Sequence, residues 1–320
     1  MVKRNVFVSV VVPVWNGRAL VRHACRQIVK VLSASFQQYE VIFVDDGSND
    51  DSFEEIHAVA EEFICVHGIR LARNFGQHAA LSAGLEEARG DVLVSFDVDL
   101  QCDPAEIPVL VDKVLEGYGV VSGWRVGRED SLSRRIPSYF MNKLINWYTG
   151  VRLHDHGCAF KAISREVADQ IPEHGDLRRF LTALVVNLSP RILEVPVSHR
   201  RLQSGTSRYD FWRLFDLSVD FLTGYSRKPF RIVGIAGALL SFMGILGGFS
   251  CLVGRFFSPF FREPRLQGLI AILAFFGFQF LILWFIGEFS ARTYQLLQHP
   301  PLYLVAERVQ GRDKKMEGTC

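Results

Sequence analysis

Asp97 and Asp99 stand one residue apart, directly behind the apolar run that begins at Asp91. In a strand, residues i and i+2 share a face, so the pair is expected to turn two carboxylates toward one spot at the strand's carboxyl end. Hard oxygen ligands placed this way suit Mg²⁺ or Mn²⁺ carrying a diphosphate. An acidic pair behind a strand is also ordinary turn chemistry, so its meaning depends on what else converges there. Pro13, Trp15 and Asn16 follow one apolar run, Asp45, Asp46, Gly47 and Ser48 a second, and Arg73 and Asn74 a third.

The elements that must bring these groups together are legible as alternation. Near-continuous apolar runs at Phe7–Val12, Glu40–Val44, Val66–Leu71, Asp91–Phe96 and Gly119–Ser122 predict strands buried on both faces. Helical patterns at Arg18–Leu32, Asp51–Phe63, Gln77–Arg89 and Pro104–Glu116 lie between them, the last opened by Asp103 and Pro104. Such alternation implies a doubly wound α/β domain with its ligand site beyond the carboxyl ends of the strands. No G-x-G-x-x-G follows the first strand and no Walker loop is present, which disfavours a dinucleotide or P-loop site. The Asp-Asp-Gly-Ser segment reads equally as a turn before the next helix or as carboxylates facing a base or ribose.

Charge divides the chain. No ionisable side chain occurs from Ile232 to Gly254 or from Leu266 to Gly287, and each run exceeds the roughly 18 to 20 residues that cross a hydrocarbon core. Two transmembrane helices are expected. Lys3, Arg4 and Val6–Val14 could mimic an export signal, but Pro13 and the Arg18, Arg22, Arg26 series favour a first strand and a cytoplasmic front domain. Two spans then return the C-terminus to the same side. Arg255, Arg262 and Arg265 in the connecting loop make the positive-inside bias modest. Just before the first span, Tyr209–Tyr225 sets Asp210, Arg213, Asp216 and Asp220 on one face among aromatic anchors. That pattern suits a helix at a bilayer surface, with packing on the soluble domain as the rival reading.

The net charge of +2 over 320 residues gives no global pointer to nucleic acid. Six scattered cysteines without metal-ligand spacing read as reduced, packed thiols. The basic stretch around Arg125, Arg128, Arg134, Arg135 and Lys143, with His199-Arg200-Arg201 and Arg208, is either a solvated face or a partner for an anionic substrate.

Taken in order, Val8-Ser-Val-Val-Val-Pro-Val-Trp-Asn16, Val44-Asp-Asp-Gly-Ser48, Ala72-Arg-Asn-Phe-Gly76, Asp97-Val-Asp-Leu-Gln101 and Ile286-Gly-Glu-Phe289 resemble the polyprenyl-phosphate glycosyltransferases. These are membrane-bound relatives of dolichol-phosphate mannose synthase in inverting family 2. The similarity runs through the spans to Pro301-Leu-Tyr-Leu-Val305. Asp155-His-Gly-Cys158 resembles the bacterial branch that loads undecaprenyl phosphate, including aminoarabinose-type transferases.

The resemblance implies a GT-A nucleotide-sugar domain over residues 1–206, an interfacial amphipathic segment over 207–229, two transmembrane helices over 230–291 and a cytoplasmic tail over 292–320. It implies that Pro13, Asn16, Asp45, Asp46 and Arg73 hold the nucleoside end of a nucleotide sugar, with a UDP-sugar favoured. Asp97 and Asp99 would hold Mg²⁺ or Mn²⁺, Gln101 would line the sugar site, and Asp155 would stand at the reacting centre. Arg125, Arg128, Arg135, Arg200, Arg201 and Arg208 would meet the diphosphate or the lipid phosphate. The implied setting is the bacterial inner membrane, with a homo-oligomer, a tetramer by analogy. The chain departs from the pattern at Gly17, where many relatives carry Glu, and at Cys102-Asp103-Pro104, where Asp-Pro-Pro is usual. A processive polysaccharide synthase is the first alternative, disfavoured because no Gln-x-x-Arg-Trp motif is present. A non-catalytic membrane scaffold is the second, and the intact Asp97 and Asp99 speak against it.

Overall fold

Four parallel strands form the centre of the sheet, and each is one of the apolar runs read from the sequence. In the computed structural model, which describes residues 3–125, 146, 151, 153–155, 157–198, 228–254, 256–257, 263–297 and 302–311, they are β1 (Arg4–Val14), β2 (Phe36–Asp45), β3 (Val66–Leu71) and β4 (Val92–Ser95). Helices α1 (Arg18–Ser35), α2 (Ser52–Glu62) and α3 (Gln77–Glu87) connect them, and a short 3-10 turn (Pro104–Glu106) leads into α4 (Ile107–Leu115). Then come β5 (Val120–Arg125), β6 (Lys161–Ser164), α5 (Arg165–Ala168), a 3-10 segment (Ile171–Phe180), α6 (Leu181–Leu188) and β7 (Ile192–Val197).

The sheet order is β7-β5-β6-β4-β1-β2-β3-β8, with β8 (Val305–Gln310) at the far edge. β1 pairs in parallel with both β2 and β4, which makes the β1/β4 boundary the point where the winding direction reverses. Ligands of open α/β sheets bind outside the carboxyl ends at such a point. β6 runs antiparallel to β4 and β5, so the sheet is mixed, while β5 and β7 are parallel.

Both faces are covered, which is why the strands read as continuous apolar runs. Val8, Val10, Val12 and Val14 pack with the apolar residues of α1, α2 and α4. Val11 points the other way, into the layer formed by α3, α5 and α6. A Cβ on Gly84 would come within 2.3 Å of Val11 Cγ1. Glycine there, with Ala80 and Ala83, lets α3 lie close on the sheet and sets the height of the loop that enters it.

Three strands were not visible in sequence. β6 is four residues led by a lysine, and β7 carries Glu194 and Pro196, a proline tolerated because β7 is an edge strand. β8 comes from the tail, beyond the apolar helices, and pairs antiparallel with β3. The Ala72 amide donates to the Leu304 carbonyl at 2.8 Å, so the tail braces the residue just before Arg73 as well as covering the β3 edge.

The chain forms two units, Met1–Tyr209 with His299–Cys320, and Asp210–Gln298. The second holds α7 (Lys228–Gly254) and α8 (Pro264–Leu297). They pack as an antiparallel hairpin, Gly234 against Trp284, Gly237 against Phe280, Gly244 against Ala274 and Gly247 against Ile270. Small residues along this seam let the two backbones approach closely. Within the pair, Gly234–Gly254 and Pro264–Ser290 are long and apolar enough to cross a membrane, and Phe242, Ile245, Phe249, Phe278 and Phe285 are exposed on the outside. The second helix runs past residue 291, the expected end of the spans, to Leu297, and Glu288 lies inside it. Because the residues on both sides of the hairpin share one sheet, the chain leaves and re-enters the same unit.

Removing residues 302–320 should therefore cost more than a tail. The expected result is a catalytic unit that melts several degrees lower and aggregates through the bared β3 edge, read by thermal denaturation and light scattering in detergent. Unchanged melting would show that β8 is dispensable.

Candidate active site

The carboxyl ends of β1 to β5 lie on one edge, and the turn before β6 enters there too. β1 ends in Pro13 and Val14, both buried, and the chain then turns at Asn16 with φ 48°. Asn16 is held by two hydrogen bonds: its amide donates to Ser48 Oγ at 2.8 Å, and its Oδ1 accepts the Asn49 amide at 3.0 Å. The first and second strand ends are thereby tied together.

Asp45 and Asp46 are fully or almost fully buried. Asp46 accepts the Phe75 amide at 2.8 Å on one oxygen and the Gly76 amide at 2.9 Å on the other. Asp45 accepts the Ser48 amide at 3.2 Å and faces Arg70 at 3.8 Å. Burial raises both carboxyls above their ordinary range, and these hydrogen bonds offset part of that shift. The pair builds the walls of a neighbouring cleft rather than lining it. Gly47 completes the device. It has φ +64°, and a Cβ there would sit 2.3 Å from the Arg73 carbonyl carbon.

That cleft, of about 360 Å³, is lined by Trp15, Ser48, Asn49, Arg70, Arg73 and Asn74. Arg70 and Asn49 escaped sequence reading, Arg70 because it stands inside a strand run. Trp15 is exposed, and Arg73 lies over the Phe75 ring at 5.0 Å. A larger hollow beside α1, lined by Arg18, Arg22, Asp50 and Glu55, is bordered by charges that pair with one another: Arg18 with Asp51 and Arg22 with Glu55.

β4 stops at Ser95, so Asp97 and Asp99 do not share a strand face as expected. They sit in a turn whose residue Leu100 has φ 52°, and Asp99 Oδ1 accepts the Gln101 amide at 3.1 Å. An aspartate that bonds its own backbone two residues on favours a turn over a strand. The two carboxylates still interact. Burial, followed by the Asp99 charge, raises Asp97 to about 6. Gln77 Nε2 donates to Asp97 Oδ1 at 2.8 Å. Asp103 caps the next turn through the Ala105 amide at 2.9 Å, which accounts for the unusual Cys-Asp-Pro segment.

Asp155 is buried and faces Arg125, whose Nε and Nη2 donate to its two oxygens at 2.6 and 2.9 Å. Two residues predicted for separate roles thus form one bidentate pair. Lys161, missed in sequence, lies beneath them, fully buried, with Nζ 2.6 Å from Ser122 Oγ. Burial lowers its affinity for the proton, and the neighbouring Cys158, Asp155 and Glu194 oppose that shift. Cys158 meets Cys102 thiol to thiol, which lowers Cys158 to about 7. The 55 residues between the two cysteines hid this contact. All five described cysteines are free thiols. Arg128, Arg135, Arg200, Arg201 and Arg208, with the segment Tyr209–Tyr225, lie outside the described residues.

A doubly wound mixed sheet with acidic groups at its switch point and a cleft beside them is the arrangement of the GT-A fold. Residues 9–171 match glycosyl transferase family 2, and the chain belongs to that family, as a polyprenyl-phosphate glycosyltransferase. It is 35% identical over 306 residues to an undecaprenyl-phosphate 4-deoxy-4-formamido-L-arabinose transferase of Klebsiella pneumoniae, covering 95% of this chain and 94% of that one. To a protein of the same name from Shewanella sediminis it is 36% identical, covering 97% and 94%. Among solved structures, mannosyl-3-phosphoglycerate synthase from Rubrobacter xylanophilus shares the fold, with a TM-score of 0.53 at 16% identity over 71% of this chain and 75% of that one.

Gly47→Ala should distort the cleft while leaving every side chain that lines it chemically unchanged. The added methyl must displace the Arg73–Asn74 backbone, so nucleotide affinity measured by calorimetry is expected to fall at least about tenfold. Stability should drop by about 1–3 kcal/mol. Unaltered affinity would show that this backbone contact does not shape the cleft.

Proposed function

We propose that this protein transfers 4-deoxy-4-formamido-L-arabinose from a uridine diphosphate carrier to undecaprenyl phosphate, inverting the anomeric carbon. The observation that carries the reading is similarity to transferases of that name along nearly the full length of both chains, joined to a site whose acidic turn stands beside a nucleoside-sized cleft. The product is a lipid-linked sugar for envelope modification. The proposed setting is the bacterial inner membrane, with the catalytic unit on the cytoplasmic side.

In this mechanism a phosphate oxygen of the acceptor attacks the anomeric carbon as the bond to the nucleoside diphosphate breaks. A phosphate monoester has its second pKa near about 6, so the nucleophile is largely formed at neutral pH and a strong base is unnecessary. Asp155 fits that requirement. A carboxylate holding two charge-assisted hydrogen bonds from one guanidinium is a rigid positioning group and a poor proton acceptor. Trp15, Ser48, Asn49 and Arg73 receive the nucleoside end, and Gln101 stands beside the acidic turn for the sugar.

The residues fit a divalent cation. Asp97 is raised partly by Asp99, and a cation between them removes that repulsion. Among the described residues no cluster of three or more His, Cys, Asp or Glu side chains could hold a metal, so Asp97 and Asp99 would be the residues that hold it. Bound Mg²⁺ or Mn²⁺ supplies positive charge to the departing diphosphate. The membrane hairpin has its own reason. Each methylene drawn from the bilayer costs about 0.8 kcal/mol, so the site must come to the lipid headgroup.

The experiment is transfer from the UDP-sugar to undecaprenyl phosphate by purified protein with Mn²⁺ or Mg²⁺, followed as lipid-linked product. Asp99→Asn is expected to lose at least about 1,000-fold in kcat, and Asp155→Asn to keep measurable turnover at about 1–10%. Equal and complete loss in both would overturn the positioning role of Asp155. Failure to transfer from every nucleotide sugar offered would remove the reading itself.

The raised Asp97 also sets a pH window. Above about 6 the carboxyl is ionised and can ligate, whereas below that it holds a proton in competition with the metal. The rise in Tm on adding Mn²⁺ with UDP should therefore be full at pH 7.5 and shrink as pH falls through about 6. A pH-independent rise would show that Asp97 is not a ligand.

A further inference from the structure

The side chain that reaches Asp97 comes from the first residue of α3. Gln77 Nε2 donates to Asp97 Oδ1 at 2.8 Å. An ionised carboxylate only accepts, so the amide nitrogen is the group that faces it. The backbone beneath Gln77 is held on both sides. The Gly76 amide donates to Asp46 Oδ2 at 2.9 Å, and the Gly76 carbonyl accepts the Ala79 and Ala80 amides at 3.0 and 3.1 Å. Ala79 and Ala80 are themselves buried. Asp97 stands on looser ground, in a turn past the end of β4, where the Leu100 amide reaches its carbonyl at 3.4 Å. A side chain on such a turn settles in one rotamer when a partner selects it, and Gln77 is placed to do so.

We propose that Gln77 is a positioning residue for the cation site: its amide holds the Asp97 carboxylate in the orientation that receives the divalent cation. The inference rests on the cation reading above and extends it to a residue that does not itself hold the metal. Asp99 is oriented differently, because its Oδ1 accepts the Gln101 amide within its own turn at 3.1 Å. The two carboxylates are thus fixed from two directions, one by the turn and one by α3. Through Gly76 and Asp46, the second route leads back to the wall of the cleft.

The chemistry of the amide suits this task. A lysine or arginine at this position would set a fixed positive charge against the metal, and a carboxylate would repel Asp97. A neutral amide orients the carboxylate and leaves its charge for the cation. Hydrogen-bonded partners behind metal-ligating carboxylates are a general device, and losing one typically costs about 10- to 100-fold in metal affinity.

The test uses the full-length protein in detergent, with Mn²⁺ and UDP as probes. Mn²⁺ bound by the protein is read by equilibrium dialysis at a constant UDP concentration. Gln77→Met keeps the length and helix preference of the side chain but has no N–H, and is expected to weaken Mn²⁺ binding at least about tenfold. UDP affinity in EDTA, measured by calorimetry, should stay within about twofold of wild type, and the melting temperature without metal should be unchanged. In transfer assays the Mn²⁺ concentration for half-maximal turnover should rise, while kcat at saturating Mn²⁺ stays within about threefold. Gln77→Asn, too short to reach Asp97 from the same backbone, should match Gln77→Met and carries the comparison if that variant does not fold. Mn²⁺ affinity within about twofold of wild type, or a UDP affinity in EDTA that falls as far as the Mn²⁺ affinity, would overturn the positioning role. Wild-type protein that binds no Mn²⁺ in the presence of UDP would overturn the cation reading and this inference together.

Discussion

The active edge is organised by the Asp46 carboxylate. It is buried at the end of β2 and accepts two consecutive amides, Phe75 and Gly76, from the loop after β3. Hydrogen bonds to a charged group are worth about 1.5–3 kcal/mol each, and burying the charge opposes them, as its raised proton affinity shows. The interaction is retained where an apolar contact would cost less. Its consequence lies one residue further on: Gln77 opens α3 and donates to Asp97. On the other side, the same loop packs its Arg73–Asn74 backbone where Gly47 has no side chain. A single carboxylate thus links the cleft to the acidic turn, so that moving one disturbs the other.

This also explains what could be read before any coordinates. β1 to β5 were legible because strands buried on both faces must be apolar at every position, and the helices between them had to be amphipathic. The convergence of Asn16, Asp46, Arg73 and Asp97 followed from topology alone. The division of labour did not. Asp45 and Asp46 read as ligand groups because carboxylates at strand ends usually face out, whereas Asp46 holds a backbone amide on each oxygen and Asp45 holds one amide on Oδ1 and turns Oδ2 toward Arg70. Arg125 and Asp155 are 30 residues apart and Ser122 and Lys161 are 39 apart, so no local pattern could pair them. β6 and β7 were hidden by the polar residues that the site requires, Lys161 and Glu194. β8 was hidden by two apolar helices that separate it from its sheet. The basis of each miss is long range.

The return of the tail has a physical meaning beyond covering an edge. β3 presents unpaired backbone groups on its outer side, a template for association with another chain. Closing it with residues that follow the helical hairpin couples two events: the edge is protected only once both apolar helices have been made and the chain has come back. Since Leu304 holds Ala72, the same closure steadies the wall of the cleft. A soluble fragment ending before the hairpin would lack both.

Charge supplies the last constraint. On the proposed function, two substrates carrying phosphates meet at an edge where Asp97, Asp99, Asp155 and Glu194 are all acidic. Among the described residues, Arg125 is held by Asp155 and Lys161 lies beneath the surface, so neither offsets this for a ligand. Such a site can bind anions only if positive charge arrives with the ligand or from elsewhere in the chain. A divalent cation at Asp97 and Asp99 meets the first condition for the diphosphate. The carboxylates then act as counter-charges that hold that cation in place and release it when the substrate leaves. That arrangement suits an enzyme that must let go of a diphosphate after every turnover.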